Sequence, residues 1–391
     1  MSYLSIRDIN IQGKRVFMRV DFNVPLAKNE QGQIEITSDK RIKASLPTIQ
    51  YALEKGAALI LASHLGRPKG KRDPEQSLKP AAARLAELLK LPVAMAPDCV
   101  GSEVQAMLPA PGGVLLLENL RFHAAEEKND AAFSQQLAAL CDIYVNDAFG
   151  SAHRAHASTE GITHHVAVKA AGLLMEQELK YLGMVTTNPP RPEVAILGGA
   201  KVSDKIQVIE NLSKIVDKLL IGGAMAYTFL RAQGLPTGKS LVEEDKVELA
   251  KSLMEKLGSK LLLPVDHVVV AEIAPGAPHQ AVETIPDGQI AVDIGPKTIE
   301  LYAREIGAAK TVIWNGPMGI FEKPPFDKGT VSLAKAVAES GAISVVGGGD
   351  SEKAIKAAGV TSKISHVSTG GGASLEFLAG DQLPGVVALE N

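Results

Sequence analysis

In the first half of this 391-residue chain, arginine and histidine recur directly after short apolar runs. An arginine guanidinium presents a fixed fork of donors that matches pairs of phosphate or carboxylate oxygens. A single arginine is more often a solvated charge or half of an ion pair. Four segments with the same pattern, however, predict a site for a small, multiply charged anion. These segments are 19–23, 63–68, 118–122 and 146–154.

In the second half the corresponding positions are rich in glycine. Glycine lets backbone N–H groups approach a phosphate, and a following helix adds the partial positive charge of its N-terminus. One glycine pair is weak evidence, but five such turns predict a nucleotide site. The turns are 198–205, 222–225, 315–319, 347–351 and 370–374. Of the 36 glycines 24 lie beyond residue 185, whereas 9 of the 12 arginines precede it, so the two halves differ in chemistry.

Charged residues accompany two of the glycine turns. Lys201 and Lys205 share one face at the start of a predicted helix, where lysine opposes the helix dipole unless an anion is bound. Asp350 is a candidate ligand of Mg²⁺ carried by a nucleotide, or a cap for the following helix. Segment 234–240 resembles a P-loop but has three residues between its glycines instead of four, and we do not interpret it as one.

The elements that position these residues follow from the hydrophobic pattern. Short aliphatic runs alternate with helical patterns, which predicts an α/β fold of two doubly wound parallel-sheet, Rossmann-like domains. Such sheets bind ligands outside the carboxyl ends of their strands, where the polar segments begin. We predict strands at 16–20, 59–62, 114–117, 143–145, 166–168, 194–197, 219–221, 268–270, 312–314, 344–346 and 366–368, with another near Val93.

A helical pattern at 173–185 separates the halves and ends before Asn188-Pro189-Pro190. A helix that stops at prolines before a fresh strand is typical of a domain linker. We therefore predict an N-terminal domain at 1–172, a hinge helix and linker at 173–190, and a C-terminal domain at 191–375.

Composition excludes several classes of function. With 41 basic against 44 acidic residues the net charge is −3, and the basic stretch 67–72 contains no aromatic residue for base stacking, so neither nucleic acid nor an anionic membrane is predicted as a partner.

Cys99 and Cys141 are too few for a disulfide framework and lack a histidine at metal-ligand spacing, which favours a reducing cytoplasm. There is no basic-then-apolar leader and no apolar run of 18 residues. We interpret His153 and His156 as an anion contact and a structural residue.

Eight motifs, in order along the chain, resemble the phosphoglycerate kinase family over essentially the whole sequence. They are Arg-Val-Asp-Phe-Asn-Val-Pro, Ser-His-Leu-Gly-Arg-Pro, Leu-Glu-Asn-Leu-Arg-Phe, Ala-Phe-Gly-Ser-Ala-His-Arg-Ala-His, Ile-Leu-Gly-Gly-Ala-Lys-Val-Ser-Asp-Lys, Trp-Asn-Gly-Pro-Met-Gly, Gly-Gly-Gly-Asp-Ser and Ser-Thr-Gly-Gly-Gly-Ala-Ser. The Gly-Asp-Ser turn departs from the more common Gly-Asp-Thr but keeps a hydroxyl, and Lys323-Pro324-Pro325 after Glu322 is less apolar than usual.

The resemblance implies reversible in-line transfer of the acyl phosphate of 1,3-bisphosphoglycerate to MgADP, giving 3-phosphoglycerate and MgATP, with closure of the domains about the hinge. It implies a cytoplasmic, monomeric glycolytic kinase with Mg²⁺ as its metal and small molecules as its partners. It also implies that the C-terminal tail, 376–391, returns to the N-terminal domain.

The resemblance further assigns site residues. Those implied to hold the triose phosphate are Asp21, Asn23, Arg41, His64, Leu65, Gly66, Arg67, Arg121 and Arg154. Those implied to hold the nucleotide are Lys201, Lys205, Glu322, Gly348, Gly349, Asp350 and Ser351, with Asp350 on Mg²⁺. We assign neutralisation of charge on the transferring group to Arg41, Lys201, Lys205 and the backbone amides of Gly371 and Gly372.

In the reverse reaction the nucleophile is a carboxylate already ionised at pH 7, so no general base is required. Two alternatives stay open. Another acyl-phosphate kinase, acting on a small carboxylate such as acetate or aspartate, is disfavoured because a singly charged substrate needs fewer basic residues. A non-catalytic two-lobed anion-binding protein is disfavoured by the glycines and lysines of the second half.

Overall fold

The computed structural model describes residues 3–274 and 276–390, so Asn391, the last residue of the predicted tail, lies outside the described residues. The chain forms two compact units. Unit 1 comprises Met1–Lys180 with Gln382–Asn391, and unit 2 comprises Tyr181–Asp381. The division falls within the segment 173–190 for which the sequence predicts a linker. Within the described residues, no helix is long and apolar enough to cross a membrane.

Unit 1 is built on a parallel sheet. Its strands, with a short hairpin of β2 and β3, are β1 (Arg15–Arg19), β2 (Leu26–Lys28), β3 (Ile34–Ile36), β4 (Ala58–Ala62), β5 (Ala94–Met95), β6 (Val114–Leu116), β7 (Ile143–Asn146) and β8 (Val168–Ala171). The six-stranded order is β5-β6-β4-β1-β7-β8, and each pair is parallel. All five residues of β4 are buried, as expected of a central strand covered on both faces.

Within the described part of its N-terminal segment, unit 1 contains the starts of six α-helices. They are α1 (Lys40–Glu54), α2 (Lys79–Leu89), α3 (Ser102–Ala106), α4 (Ala124–Glu127), α5 (Ala131–Ala138) and α6 (Leu173–Thr187). Helix α1 buries Ile42 and Ile49 in the core and so fixes the direction of its polar first turn. The start of α6 is capped by side chains from elsewhere in unit 1, because Leu173 N donates to Thr48 Oγ1 at 3.1 Å and Leu174 N donates to Asp147 Oδ1 at 3.0 Å.

The order of strands reverses between β1 and β7, because the chain first extends the sheet through β4 and later returns to the other side of β1. The carboxyl ends of parallel strands beside such a reversal form the usual ligand crevice of α/β sheets. The polar segments after β1, β4, β6 and β7 therefore share one edge. The predicted doubly wound architecture is confirmed.

Unit 2 repeats this architecture. Its strands are β9 (Glu193–Leu197), β10 (Lys218–Ile221), β11 (Leu261–Leu262), β12 (His267–Val270), β13 (His279–Val282), β14 (Ile290–Ile294), β15 (Thr311–Asn315), β16 (Ile343–Gly347) and β17 (His366–Val367). The parallel sheet has the order β11-β10-β9-β15-β16-β17, with the reversal between β9 and β15. The helices are α7 (Ile206–Leu212), α8 (Met225–Ala232), α9 (Val247–Leu257), α10 (Pro296–Ala308), α11 (Lys328–Glu339), α12 (Gly349–Ala357) and α13 (Gly372–Leu378).

Two strand predictions differ from the structure. The run 268–270 belongs to β12, which pairs antiparallel with β13 and β14 in a separate sheet instead of joining the parallel one. The strand predicted at 166–168 is found at Val168–Ala171, where Ala170 and Ala171 are fully buried and Val168 is exposed. Valine has the stronger strand propensity, but burial of the two alanines decides which residues pair.

The C-terminal segment returns to unit 1 through the short helix α14 (Pro384–Val387). Gly385 N donates to Ala152 O at 2.8 Å, and Asn146 Nδ2 donates to Gly385 O at 3.3 Å. A Cβ atom at Gly385 would lie 3.0 Å from Ala152 Cα, so glycine allows this close approach to the turn after β7. Residues 376–381 belong to unit 2.

Candidate active site

Asp21, directly beyond β1, is paired with an arginine of α1. Arg41 Nη1 donates to Asp21 Oδ2 at 2.5 Å, and the backbone N–H of Asn23 donates to Asp21 Oδ1 at 3.1 Å. Burial by itself would raise the pKa of Asp21, but the charges of Arg41 and Arg19 and the hydrogen bond from Asn23 outweigh it and lower that pKa. Asp21 is therefore an anion that fixes the direction of Arg41.

His64, just after β4, is 6% exposed and faces the same charges. Burial lowers its pKa well below the usual value; Asp21 opposes this shift, whereas Arg19, Arg121 and Arg41 reinforce it. Arg19 Nη2 lies 3.1 Å from His64 Nδ1. Because arginine has only donors, Nδ1 accepts this hydrogen bond and the proton of the neutral ring resides on Nε2.

Arg19 is the functional residue of unit 1 that the sequence analysis did not assign. It is fully buried, and its Nε donates to Ser158 Oγ at 2.8 Å while Nη1 donates to Val20 O. Ser158 Oγ donates in turn to Glu126 Oε1 at 2.6 Å. Burial raises the pKa of Glu126, and Arg19 acts against that shift. The place of Arg19 in segment 19–23 predicted an anion site, but its contact with Ser158 joins residues 139 positions apart, which no sequence pattern indicates.

The turn after β4 is held by two asparagine side chains. Asn119 Oδ1 accepts from Leu65 N at 3.1 Å, and Asn23 Oδ1 accepts from Gly66 N at 2.9 Å. Gly66 has a φ of 63°, and a Cβ there would lie 2.1 Å from Gln76 Oε1. The left-handed backbone favours glycine at this position, and the predicted residues Leu65 and Gly66 are fixed through their backbone.

The remaining predicted arginines of unit 1 differ in how they are held. Arg121 is 8% exposed, and its Nη1 donates to Gly66 O at 2.8 Å. Burial lowers the pKa of Arg121, and the charge of Glu127 opposes that shift. Arg19 and Arg154 lower the pKa further, because these cations lie in the same region as Arg121. Arg154 is exposed and contacts His153 at 3.1 Å. Arg67 is exposed and has no ion pair within the part of the chain that the structure describes.

Several glycines of unit 2 are required by packing of the backbone on itself. A Cβ at Gly198 would lie 2.0 Å from Pro317 O, one at Gly223 2.5 Å from Gly199 N, and one at Gly316 2.2 Å from Gly198 O. These turns follow β9, β10 and β15, which are neighbours in the sheet. Their glycines have a structural cause that is independent of any ligand.

Other glycines of unit 2 face open space. Among the described residues, a Cβ built at Gly349 or Gly371 meets no heavy atom within 4 Å. Gly348, with φ 90°, precedes α12, and Gly371, with φ 53°, precedes α13. A phosphate can approach the backbone of Gly349 and Gly371 without a clash, and the helix N-termini provide N–H groups.

A lysine and an asparagine connect three of these turns. Lys205 Nζ donates to Asn315 Oδ1, and Asn315 Nδ2 donates to Gly347 O at 2.9 Å. Burial lowers the pKa of Lys205, whereas Asp204 and Asp350 oppose that shift. Lys201 is exposed. Asn315 lies in the Trp-Asn-Gly-Pro-Met-Gly motif, but its role could not be predicted because its contacts depend on the neighbouring strand.

The first turn of α12 carries the remaining nucleotide candidates. Asp350 is 55% exposed and its Oδ1 lies 3.0 Å from Lys353 Nζ, so the carboxylate is available to a cation from solvent. Ser351 is fully buried, and its Oγ accepts from Gly316 N at 2.6 Å. Ser351 therefore positions the turn after β15. Glu322 is exposed, in the segment that follows this turn.

Comparison with known proteins agrees with the resemblance seen in the motifs. The sequence model of phosphoglycerate kinase matches residues 6–381. Phosphoglycerate kinases of Solibacter usitatus and Koribacter versatilis are 80% and 60% identical to the chain, each over 100% of both proteins. The structure of phosphoglycerate kinase from Coxiella burnetii superposes with a TM-score of 0.91 at 41% identity over 99% of each chain. That from Pyrococcus horikoshii gives 0.86 at 35% identity, over 99% of this chain and 98% of the other.

Proposed function

The chain belongs to the phosphoglycerate kinase family, and from that premise we propose which of its residues hold each substrate and neutralise the transferring group. It is a glycolytic phosphotransferase that reversibly moves the acyl phosphate of 1,3-bisphosphoglycerate to ADP, giving 3-phosphoglycerate and ATP. The alternative, another acyl-phosphate kinase, is not favoured.

Unit 1 holds the triose phosphate. The observation that carries this assignment is the excess of cations around His64: Arg19, Arg41 and Arg121 all act on it, and Asp21 opposes them. A bound phosphate and carboxylate would balance that charge. His64 contributes a neutral Nε2–H donor. Arg121 bonds Gly66 O through Nη1 and lies 3.3 Å from Glu127 Oε1 through Nε, which leaves Nη2 to donate to the anion.

Asn23, Leu65 and Gly66 shape the wall of this site through their backbone and amide contacts. Arg67 and Arg154 are exposed, and each can turn toward a bound anion. An exposed arginine loses more side-chain conformational entropy on binding than one that is already held in place. The larger contribution to affinity is therefore assigned to Arg121.

Unit 2 holds the nucleotide as its magnesium complex. Gly349 at the start of α12 leaves room for phosphate oxygens, Gly348 turns the backbone into this helix with φ 90°, and Lys205 is already directed to this edge by Asn315. The exposed carboxylate of Asp350 fits a ligand of Mg²⁺, which in such complexes screens phosphate charge. Lys201 and Glu322 complete the proposed contacts, and Ser351 maintains the turn.

The acceptor in the reverse direction is an ionised carboxylate, so this chain needs to move no proton. Its task is to position the two reactants and to neutralise the oxygens of the transferring group. We assign this to Arg41, Lys201, Lys205 and the amides of Gly371 and Gly372. The two units are expected to approach each other when both substrates are bound, which would exclude water from the acyl phosphate.

Two further assignments complete the proposal. We propose a cytoplasmic location, because a glycolytic enzyme acts on metabolites of the cytoplasm. We also propose a monomer, as the resemblance to the family implies.

A coupled assay tests the substrate assignment. The chain is expected to form ADP from MgATP only when 3-phosphoglycerate is supplied, and not with acetate or aspartate. ADP formation with acetate or aspartate, or none with 3-phosphoglycerate, would overturn it.

A further inference from the structure

An aspartate, a cysteine and a histidine converge in unit 1 beside the turn that follows β6. A carboxylate oxygen of Asp98, Cys99 Sγ and a ring nitrogen of His123 all lie within 4.8 Å of one another. We propose that these three side chains form a binding site for a transition-metal cation of the zinc type, separate from the triose and nucleotide contacts.

The donor set selects the class of metal. Thiolate, imidazole and carboxylate are the ligands that Zn²⁺ takes in tetrahedral sites, with a water molecule in the fourth position when the protein supplies three. Mg²⁺ requires oxygen ligands in an octahedral shell, so the thiolate disfavours it. The magnesium that accompanies the nucleotide therefore does not compete for this site.

The ligands are held by neighbouring contacts. The ring of His123 stacks on Phe133 with centroids 4.8 Å apart, and Cys99 N donates to Asp98 Oδ1 at 2.7 Å. Cys99 is fully buried, whereas the side chains of Asp98 and His123 are 45% and 29% exposed. The thiol therefore forms the inner wall, and the cation can enter from the side of the other two ligands.

Metal binding requires the thiol of Cys99 to lose its proton and the distance between His123 Nε2 and Asp98 Oδ1 to increase. Cys99 Sγ now donates to Glu118 O at 2.9 Å, and the metal replaces that proton, which passes to solvent. His123 Nε2 lies 2.5 Å from Asp98 Oδ1, and a tetrahedral shell would separate these atoms to roughly 3.3 Å. Both are side-chain adjustments that leave the strands in place.

The local charge favours a divalent cation. The carboxylates of Asp98, Glu126 and Glu118 all act on Cys99, and Arg72 is the opposing cation among the described residues. The negative charge of these carboxylates attracts a divalent cation to the three donor atoms.

Titration of the full chain with Co²⁺, without nucleotide and under reducing conditions, tests the proposal. We expect one equivalent to bind with a thiolate-to-cobalt charge-transfer absorption. Cys99→Ser should abolish that absorption, and Cys141→Ser, at the other cysteine of the chain, should retain it. No charge-transfer absorption in the unmodified chain, or one that survives in Cys99→Ser, would overturn the site.

A second pair of variants keeps the test decisive if Cys99→Ser does not fold. His123→Gln should weaken Co²⁺ binding at least about 10-fold. His164→Gln is the matched control, because His164 forms the same contact with a carboxylate, 2.5 Å from Glu160 Oε1, without a cysteine. Circular dichroism verifies that both variants fold. Equal binding by His123→Gln and His164→Gln would contradict the proposal.

Discussion

The fully buried guanidinium of Arg19 lies 3.1 Å from His64 Nδ1, and this contact determines which nitrogen of the histidine carries its proton. Arg19 is thus a positioning residue that acts through His64. It keeps the imidazole neutral and leaves an N–H donor at Nε2, the atom proposed to contact the triose phosphate.

Replacing His64 tests whether this donor contacts the substrate. His64→Ala should raise the KM for 3-phosphoglycerate about 10- to 100-fold, since one hydrogen bond to a charged group is lost. His64→Gln retains an N–H donor and should recover most of that loss. The KM for MgATP should remain the same in both, and steady-state kinetics with each substrate varied distinguishes the effects. Equal losses in the two variants would argue against a donor role.

The lowered pKa of His64 has a consequence for pH dependence. Burial and the surrounding arginines stabilise the neutral ring, so His64 should not titrate between about pH 6 and 8. The phosphate of the substrate titrates near pH 6 and affects every variant. The ratio of the KM values of His64→Gln and the unmodified chain should therefore be constant across this range. A ratio that changes several-fold would show that His64 gains a proton there.

Arg41 is expected to act mainly on the transferring group. Arg41→Ala should lower kcat by at least about 100-fold and change MgADP affinity by no more than about 2-fold, because the charge is removed from the transition state. Arg84→Ala is a suitable control, since Arg84 pairs with Asp39 and Glu87 on the surface of α2. An unchanged kcat in Arg41→Ala would exclude Arg41 from the mechanism.

Glu193 at the start of β9 should limit the stability of unit 2. It is fully buried, neither carboxylate oxygen has a hydrogen-bond partner among the described residues, and burial raises its pKa to about 7. Arg191 lowers this pKa somewhat and Asp217 raises it. Since the folded pKa exceeds the unfolded value of 4.5, the stabilisation is complete below pH 4.5 and is lost as the pH rises through about 7.

Glu193→Leu should therefore unfold at higher urea concentration at pH 8, with a gain of roughly 3 kcal/mol, and lose that advantage near pH 4.5. Trp314 is the single tryptophan and lies buried in β15, so its fluorescence reports the unfolding of unit 2. Glu193→Gln provides the uncharged control. A gain that is the same at both pH values would mean that packing, and not ionisation, is responsible.

The sequence was enough to predict that the polar and glycine-rich segments of each sheet share one edge, because parallel strands place their following residues on one side. Arg121 after β6 and Gly349 after β16 are examples. The role of Asn315 could not be predicted, since its amide bonds a residue of the neighbouring strand. The glycines of unit 2 are present for two different reasons, which the sequence does not distinguish. Gly198 and Gly316 are required by backbone packing, whereas Gly349 faces open space.

Two other features depended on long-range contacts. Strand β12 has the same aliphatic composition as the central strands, and only its antiparallel pairing with β13 and β14 distinguishes it. Cys99 and His123 are too far apart in sequence to suggest a common site. The pairing of β5 with β6 brings the segments that follow these strands together.

The central claim is that unit 1 binds the triose phosphate and unit 2 binds the nucleotide. Calorimetric titration of Arg121→Ala and Lys205→Ala with each ligand alone tests it most directly. We predict that Arg121→Ala loses about 10- to 100-fold in 3-phosphoglycerate affinity with MgADP affinity unchanged, and that Lys205→Ala shows the reverse. Weakened binding of both ligands in either variant, with its fold intact, would contradict the division of the substrates between the two units.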